Sequence, residues 1–170
     1  MRNIILCGFM GSGKTTVGQH LACLTGRRFE DTDELIVQKT GMTIPEIFEK
    51  FSQQHFRCLE REACANLAAQ KGLVIAVGGG ALTFTENKKA LSATGDIVLL
   101  DVPVEVILER LKGDNTRPLL ARPDRENAAR ALYKQRMPLY KAAAAFTVNA
   151  AADANTVAQD IIKALDLPSL

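Results

Sequence analysis

The strongest constraint on this chain is a glycine-rich segment, Gly8-Phe9-Met10-Gly11-Ser12-Gly13-Lys14-Thr15. It follows the apolar run Ile4-Ile5-Leu6-Cys7, which is typical of a strand buried on both faces of a parallel sheet. A helix is predicted after it, because Val17, Leu21 and Leu24 recur at helical spacing. Between a strand and a helix, the spacing G-x-x-x-x-G-K-[ST] predicts a loop that wraps the phosphates of a nucleotide.

Each part of this loop has a predicted task. Glycines let backbone N–H groups approach phosphate oxygens closely, and some of these positions are expected to need a positive φ. The helix beginning near Lys14 directs the positive end of its dipole at the same phosphates. Lys14 is expected to reach the β- and γ-phosphates, and the Thr15 hydroxyl to bind Mg²⁺. The residues assigned to nucleotide phosphates are Gly11, Ser12, Gly13, Lys14, Thr15 and Thr16.

The composition indicates one domain whose anion binding is local. With 170 residues, 47% of them hydrophobic, the chain suits a single domain over residues 1–170. Its 21 Lys and Arg nearly balance 19 Asp and Glu, so overall charge favours neither nucleic acid nor a membrane.

The apolar run at residues 4–7 is too short for a signal peptide, so we expect a cytoplasmic protein. The four cysteines lack C-x-x-C spacing and are expected as reduced, mostly buried thiols, without zinc or disulfides.

Strands and helices alternate along the rest of the chain. Further strands are predicted at about residues 29–33, 73–77, 97–100 and 146–148. Helices are predicted to about residue 40 and then over residues 44–51, 54–71, 85–93, 103–111, 125–135 and 155–165. This alternation predicts a three-layer α/β fold, with a mostly parallel sheet and helices on both faces.

Among nucleotide-binding proteins, a small-molecule kinase fits best. The N-K-x-D signature of guanine-specific switches is missing, since Asn87-Lys88-Lys89-Ala90 lacks the aspartate. An ATP-driven motor is hard to build in 170 residues without appended domains. Besides the phosphate loop, a kinase needs a carboxylate that organises Mg²⁺, a carboxylate near the acceptor hydroxyl, and positive charge that closes over the transferred group.

Aspartates at strand ends are candidates for the two carboxylates. Asp31 and Asp33 are two apart on a segment predicted to be extended, so their side chains point the same way, toward the ligand-binding edge of the sheet. Asp101 ends an apolar strand and is a rival metal ligand. The alternative for Asp31 and Asp33 is a purely structural role as helix N-cap.

Arginines and a glycine surface form a candidate acceptor site. Arg57 and Glu60 lie three apart on one helix face, so Glu60 can hold the guanidinium while it binds a carboxylate; an ordinary surface ion pair is the alternative. Gly78-Gly79-Gly80 follows a buried strand and predicts a backbone surface against which a ligand lies closely. Arg117 lies in a loop able to fold over the phosphates. Arg136, beyond the next predicted helix, offers a second contact to an anionic acceptor.

Together these motifs resemble the bacterial shikimate kinase family over essentially the whole chain. The resemblance is carried by Gly11-Ser12-Gly13-Lys14-Thr15-Thr16, Asp31-Thr32-Asp33, Phe56-Arg57 with Glu60, Gly78-Gly79-Gly80, Arg117-Pro118-Leu119-Leu120 and Arg136 with Pro138-Leu139-Tyr140. It implies a five-stranded sheet of order 2-3-1-4-5, similar to nucleoside monophosphate kinases, with a substrate-binding segment at about residues 33–60 and a lid at about 113–124. It also implies a monomer that uses MgATP to phosphorylate the 3-hydroxyl of shikimate, in aromatic amino acid biosynthesis.

The resemblance implies a role for each acceptor-site residue. The shikimate site would consist of Asp33, Arg57, Gly78, Gly79, Gly80 and Arg136. Arg57 and Arg136 would take the carboxylate of shikimate. Asp33 would accept hydrogen bonds from its ring hydroxyls and act as the base at the 3-hydroxyl.

The resemblance also implies roles around the nucleotide. Thr15 and Asp31 would serve Mg²⁺, the latter through water, which returns Asp101 to the structural residues. Lys14 and Arg117 would stabilise charge on the γ-phosphoryl group. Adenine would lie between two further parts of the chain, Arg110 and residues 149–155.

Other functions remain open on the sequence. A gluconate-type sugar-acid kinase shares the phosphate loop, the small size and the need for arginines, but Asp31-x-Asp33 with the triple glycine argues against it. An adenylate-type kinase accepts a nucleotide, whereas the contacts here suit a smaller acceptor. A nucleotide-binding module without catalysis belongs to a different class and would show no turnover.

Overall fold

A five-stranded parallel sheet organises the chain in the computed structural model, which describes residues 1–113 and 123–168. Its strands are β1 (Asn3–Cys7), β2 (Arg28–Asp31), β3 (Leu73–Ala76), β4 (Gly95–Asp101) and β5 (Phe146–Asn149). They lie in the order β2-β3-β1-β4-β5, and every neighbouring pair is parallel. The predicted fold class and strand order are confirmed.

Helices cover both faces of this sheet. They are α1 (Lys14–Thr25), α2 (Thr32–Thr40), α3 (Ile44–Lys50), α4 (Gln53–Ala68), α5 (Thr85–Thr94), α6 (Val104–Arg110), α7 (Arg125–Ala143) and α8 (Ala154–Ala164), with a short 3-10 helix at Ala81–Thr83. The chain crosses from β1 to β2 in one direction and returns across the sheet in the other. Because parallel crossovers are right-handed, α1 lies on one face and α4, α5 and α7 on the other, while α8 packs beside α1. Within the described ranges, no helix is both long and apolar enough to cross a membrane.

The middle of the sheet is mainly apolar, with Asn3 of β1 as a buried polar exception. Every residue of β1 and β3 is buried, and so are the central residues of β4. A strand covered on both faces reads as an unbroken apolar run, which is why the sequence identifies these strands readily. The edge strands β2 and β5 are partly exposed and carry polar residues, so their sequences show a weaker strand pattern.

Local capping sets several helix ends where they were predicted. Gly26 and Gly41 end α1 and α2 with φ angles of 64° and 66°, in the left-handed region that favours glycine. At the start of α3 the Thr43 backbone N–H donates to Glu46 Oε2 at 2.7 Å, and the Thr43 hydroxyl accepts from the Glu46 N–H. A capping box is therefore present at this helix start.

Three predicted boundaries were wrong. Helix α7 runs to Ala143 rather than to residue 135, so Arg136 lies within the helix and not beyond it. Pro138 removes one helical hydrogen bond, but the buried side chains of this stretch keep the helix packed on the core. Asp33 lies in the first turn of α2, so the alternation of an extended strand does not orient it. Helix α4 ends at Ala68, a few residues before the predicted stop.

The cysteines divide evenly between the core and the surface. Cys7 and Cys64 are buried, but Cys23 and Cys58 are exposed, so the expectation of mostly buried thiols was wrong for half of them. All four are free thiols. Burial raises the pKa of Cys7 and of Cys64 to about 12, which leaves both as unreactive thiols at neutral pH.

Gly95 allows β1 and β4 to pair closely. A Cβ atom at this position would lie 2.1 Å from Ile5 Cδ1 and 2.8 Å from the Asn3 carbonyl oxygen. Because strand pairing fixes that carbonyl, an alanine would force the two strands to shift. We expect Gly95→Ala to lower the free energy of unfolding by about 1–3 kcal/mol, measured by urea unfolding followed by circular dichroism. An unchanged unfolding midpoint would contradict this account of the packing.

Candidate active site

The carboxyl ends of β1 and β3 meet where the chain's crossovers diverge. From β1 the chain turns toward one edge of the sheet, and from β3 it turns toward the other. Ligands of open parallel sheets bind in the crevice at such a point. The glycine loop follows β1 and Gly78-Gly79-Gly80 follows β3, so both predicted ligand-binding segments lie at this crevice.

The first cavity here is formed by the glycine loop and the start of α1. It measures about 250 Å³. The residues of the glycine loop and α1 that line it include Gly11, Gly13, Lys14, Thr15 and Thr16. Gly11 and Gly13 have φ angles of 77° and 89°, so the predicted positive φ is present at both. Lys14 Nζ donates to the carbonyl oxygens of Gly8 at 2.8 Å and Phe9 at 3.2 Å, which places its charge within the loop. The Ser12 side chain is buried rather than lining the cavity.

Thr15 and Asp31 lie side by side at the rim of this cavity. The Thr15 hydroxyl donates to Asp31 Oδ2 at 3.2 Å. Asp31 Oδ1 accepts from the backbone N–H of Asp33 at 2.9 Å, so Asp31 is also the N-cap of α2. The structural role and the candidate metal role therefore use different oxygens of one carboxylate.

This pair fits Mg²⁺. A hydroxyl and a carboxylate oxygen are ligands that Mg²⁺ accepts, and it commonly completes its octahedron with substrate phosphates and water. Across residues 1–113 and 123–168, no three His, Cys, Asp or Glu side chains are grouped to hold a metal by themselves. A cation at Thr15 and Asp31 would therefore depend on the nucleotide for most of its ligands.

The second cavity is larger, about 660 Å³, and brings the predicted acceptor residues together. Its charged lining consists of Asp33, Arg57, Glu60 and Arg136, and its glycine lining of Gly78, Gly79 and Gly80. The rest of its lining is mainly apolar, with Met10, Val37, Ile44, Pro45, Phe48, Phe56 and Leu132. Apart from Phe56, which belongs to the Phe56-Arg57 motif, the sequence did not single out these apolar side chains, because their spacing is that of ordinary helix faces.

The two cavities meet. Met10, Asp33, Gly78, Gly79 and Arg136 line both of them. A group held in the larger cavity therefore lies next to the end of the phosphate cavity. This adjacency is the arrangement that phosphoryl transfer requires, with the acceptor and the transferred group held side by side.

Arg57 and Glu60 form an interior ion pair rather than an ordinary surface one. Arg57 Nη1 donates to Glu60 Oε2 at 2.7 Å, and the side chains are 20% and 1% exposed. Burial raises the pKa of the Glu60 carboxyl, while the charge of Arg57 opposes that rise. Glu60 thus fixes the guanidinium at the cavity wall, as the helical spacing predicted.

Each of the three glycines makes room for a charged side chain. A Cβ at Gly78 would lie 2.8 Å from Asp33 Oδ1, one at Gly79 would lie 3.1 Å from Arg136 Nη1, and one at Gly80 would lie 2.6 Å from Arg57 Nη1. None of the three has a positive φ, so the requirement is space and not backbone conformation. The site's own side chains therefore pack on the glycine surface that the sequence predicted.

Two further residues hold this glycine segment, and neither was assigned such a role from its sequence motif. The buried Thr32 hydroxyl accepts a hydrogen bond from the Gly78 N–H at 3.0 Å. The Tyr140 hydroxyl donates to the Gly79 carbonyl oxygen and lies beside Arg136. Burial raises the pKa of Tyr140 to about 12, so it remains a neutral donor. Both contacts join residues far apart in sequence, so no local sequence pattern predicts them.

Arg110 contacts residues 149–155, the other segment expected around adenine. Its Nη2 donates to the carbonyl oxygens of Ala150 at 3.1 Å and Ala151 at 3.4 Å, and its Nη1 donates to the Gly11 carbonyl at 3.2 Å. Asp101 is not among the described residues that line either cavity.

Arg117 and most of the predicted lid lie outside the described residues. The other predicted site residues are all described. Together, the parallel sheet, the phosphate loop and the adjoining charged cavity define a small kinase of the P-loop class.

Comparison with known proteins narrows this class. The shikimate kinase family model matches residues 10–166, and the chain belongs to the shikimate kinase family. The shikimate kinase of Acinetobacter baumannii (strain AYE) is 48% identical over 146 residues, which cover 86% of this chain and 81% of that protein. The shikimate kinase of Caldanaerobacter subterraneus subsp. tengcongensis is 41% identical over 165 residues, covering 96% of each chain. A solved structure of Acinetobacter baumannii shikimate kinase in complex with shikimate matches with a TM-score of 0.91 and 44% identity, covering 97% of this chain and 93% of that one.

Proposed function

We propose that this chain transfers the γ-phosphoryl group of ATP to the 3-hydroxyl of shikimate, giving shikimate 3-phosphate and ADP. The reaction belongs to the chorismate pathway of aromatic amino acid biosynthesis. The observation that carries the proposal is the junction of the two cavities at Asp33 and Arg136. Shikimate is a small ring with one carboxylate and several hydroxyls, and these groups match the arginines and the aspartate of the larger cavity.

The acceptor is proposed to bind between the charged side chains and the glycine segment. Arg57 and Arg136 bind its carboxylate, since a guanidinium presents paired N–H donors that match carboxylate geometry. Asp33 accepts from the ring hydroxyls and takes the proton of the 3-hydroxyl during transfer. Gly78, Gly79 and Gly80 form the backbone surface beneath the ring.

The nucleotide is proposed to bind along the glycine loop. Backbone N–H groups of Gly11, Ser12, Gly13, Lys14, Thr15 and Thr16 bind its phosphates. Thr15 and Asp31 hold Mg²⁺, which neutralises part of the phosphate charge when it is bound. The Lys14 ammonium stabilises the charge on the transferred group.

The remaining assignments rest on the family resemblance. Arg117 is proposed as a second cation at the γ-phosphoryl group, and residues 113–124 are proposed as a lid. Arg117 and most of these lid residues lie outside the described residues. Arg110 and residues 149–155 are proposed to enclose adenine. We further propose a cytoplasmic monomer of one domain, in which residues 33–60 form the substrate-binding segment.

In this proposal most of the acceleration comes from positioning and electrostatics. Phosphoryl transfer needs the hydroxyl in line with the bond that breaks, and little covalent chemistry is left for the protein. Exclusion of water by the closed site prevents hydrolysis of ATP in place of transfer. The catalytic groups of the chain are Lys14, Asp33 and Arg117.

An acceptor panel tests the proposed function. ADP release from MgATP is measured in a coupled assay with shikimate, gluconate, AMP or no acceptor. Release that depends on shikimate is expected. Release with gluconate or AMP instead would retain the phosphate site but overturn the assignment of the acceptor site, and no release with any acceptor would favour a binding module without catalysis.

Gly80→Ala is expected to weaken shikimate binding specifically. The added Cβ would lie 2.6 Å from both Nη1 and Nη2 of Arg57, so the guanidinium must leave its place at the cavity wall. We expect KM for shikimate to rise about 10- to 100-fold, because moving a substrate-binding group out of its place weakens binding strongly. Steady-state kinetics with each substrate varied in turn checks this, and KM for ATP is the internal control. An unchanged KM for shikimate would remove Arg57 from the acceptor site.

A further inference from the structure

The Arg57 guanidinium contacts two aromatic rings in addition to its ion pair with Glu60. Its Cζ lies 5.3 Å from the centroid of the Phe56 ring and 5.3 Å from that of the Phe84 ring. Both distances are within the range in which the face of an aromatic ring attracts a cation. Phe56 precedes Arg57 on α4, whereas Phe84 comes from a different part of the chain, between the 3-10 helix and α5.

The two rings differ in burial. Phe56 is 5% exposed and belongs to the core of the segment formed by α2, α3 and α4. Phe84 is 42% exposed. A single exposed phenylalanine is ordinary, but this one lies against a charged group of the acceptor cavity. Its contact with Arg57 therefore requires an explanation other than core packing.

The backbone of Phe84 is held in place. Its N–H donates to the Ala81 carbonyl oxygen at 3.3 Å, and its own carbonyl accepts from the Lys88 N–H at 3.1 Å. It thus ends the 3-10 helix that follows Gly80 and begins α5. The Phe84 ring therefore belongs to the same segment as Gly80, which packs against Arg57.

The chemistry of the contact suits carboxylate binding. A ring face attracts the charge of a guanidinium without using its N–H groups, which lie in the guanidinium plane. Glu60 occupies Nη1 at 2.7 Å, so ring contacts hold Arg57 without taking further donors from an incoming carboxylate. A ring over the cation also excludes water, which strengthens a charge-assisted hydrogen bond at that site.

We propose that Phe84 is a positioning residue for the acceptor carboxylate, acting by holding the Arg57 guanidinium against Glu60 and Gly80. This inference rests on the proposed function, since it assigns Arg57 to the carboxylate of shikimate. Phe84 itself does not contact the reacting atoms in this account. Its effect should therefore appear in the binding of shikimate and not in the chemical step.

Three variants of Phe84 test the role of the ring. Phe84→Ala is expected to raise KM for shikimate about 3- to 30-fold, with kcat and KM for ATP unchanged. Phe84→Leu keeps an apolar side chain but no ring, and should behave like the alanine variant. Phe84→Tyr restores an aromatic face and should return KM to the wild-type value.

Phe146→Ala is a matched control. Phe146 is 37% exposed on β5 and is not among the described residues that line either cavity. This variant therefore loses a phenylalanine ring of similar exposure that lies outside the acceptor site. Its KM for shikimate should match the wild type, and thermal unfolding midpoints of all variants show which of them are folded.

A shikimate ester separates an effect through the carboxylate from a general loosening of the cavity. The methyl ester lacks the charge that Arg57 is proposed to bind. Phe84→Ala should therefore weaken inhibition by the ester much less than it weakens binding of shikimate itself. A structural effect of the mutation would weaken both ligands equally.

The outcomes distinguish this inference from the function on which it rests. If the wild type does not turn over shikimate, the proposed function fails. If the wild type does turn it over, the inference is overturned by an unchanged KM in Phe84→Ala, by a wild-type KM in Phe84→Leu, or by equal losses for shikimate and its ester. Should Phe84→Ala fail to fold, the comparison of leucine with tyrosine at this position decides the question.

Discussion

Replacing Asp33 with asparagine is expected to lower kcat for shikimate about 100- to 10,000-fold while ATP binding stays unchanged. Asp33 lies where the two cavities meet, so its carboxylate adjoins both the proposed acceptor and the transferred group. An amide keeps the shape of the side chain but cannot take the proton of the 3-hydroxyl. Steady-state kinetics gives kcat, and titration with a fluorescent ATP analogue gives nucleotide affinity.

Glu34→Gln is the matched control for this variant. Glu34 follows Asp33 on α2, is exposed, and is not among the described residues that line either cavity. Its neutralisation should leave kcat unchanged, which excludes a general effect of charge on this helix. Retained turnover in Asp33→Asn would contradict the assignment of Asp33 as the base.

Replacing Lys14 with methionine is expected to lower kcat/KM for ATP about 100- to 1,000-fold or more. Lys14 Nζ lies within the glycine loop, 2.8 Å from the Gly8 carbonyl oxygen. Methionine has a similar length but no charge, so the variant retains the packing of the stem and loses the cation proposed to stabilise the transferred phosphoryl group. The rate is measured at saturating shikimate with varied MgATP.

Lys163→Met controls for the loss of a lysine elsewhere. Lys163 is exposed on α8 and pairs with Asp160 at 3.6 Å. Exposed pairs of this kind contribute little, so the rate should not change. A Lys14→Met enzyme with the wild-type rate would show that the glycine loop does not act on the nucleotide as proposed.

The parts of the fold that could be predicted are those with local causes. The run Ile4-Ile5-Leu6-Cys7 is apolar because β1 is buried on both faces, and Gly26 and Gly41 end helices through their own backbone conformation. The order of the strands did not follow from such patterns and came from the family resemblance. A sheet order depends on contacts between segments distant in sequence, which a single sequence does not display.

The prediction failed where tertiary packing outweighed a local preference. Pro138 favours the end of a helix, yet α7 continues through it because buried side chains on both sides hold the turn. Asp31 and Asp33 were oriented by the alternation of a strand, but the chain enters α2 between them. Both still line the phosphate cavity, through the N-cap and the first helical turn instead of through a shared strand face.

The sequence identified individual residues of the candidate site but not the side chains that surround and hold them. Arg57 and Glu60 were paired from helical spacing, and the pair is present. The partners that complete their surroundings, Thr32, Phe84 and Tyr140, come from separate elements and meet only in the folded chain. Their contacts decide how rigidly the charged groups are held, which the motif alone does not reveal.

Identification of the product tests the central claim most directly. After reaction of MgATP with shikimate, a phosphorus–proton correlation spectrum locates the new phosphate ester. We expect the phosphorus to couple to the ring proton at C3, in an amount that matches the ADP formed. A phosphate ester at another ring position would contradict the proposed placement of the acceptor against Asp33, and the appearance of inorganic phosphate alone would contradict the assignment as a shikimate-phosphorylating enzyme.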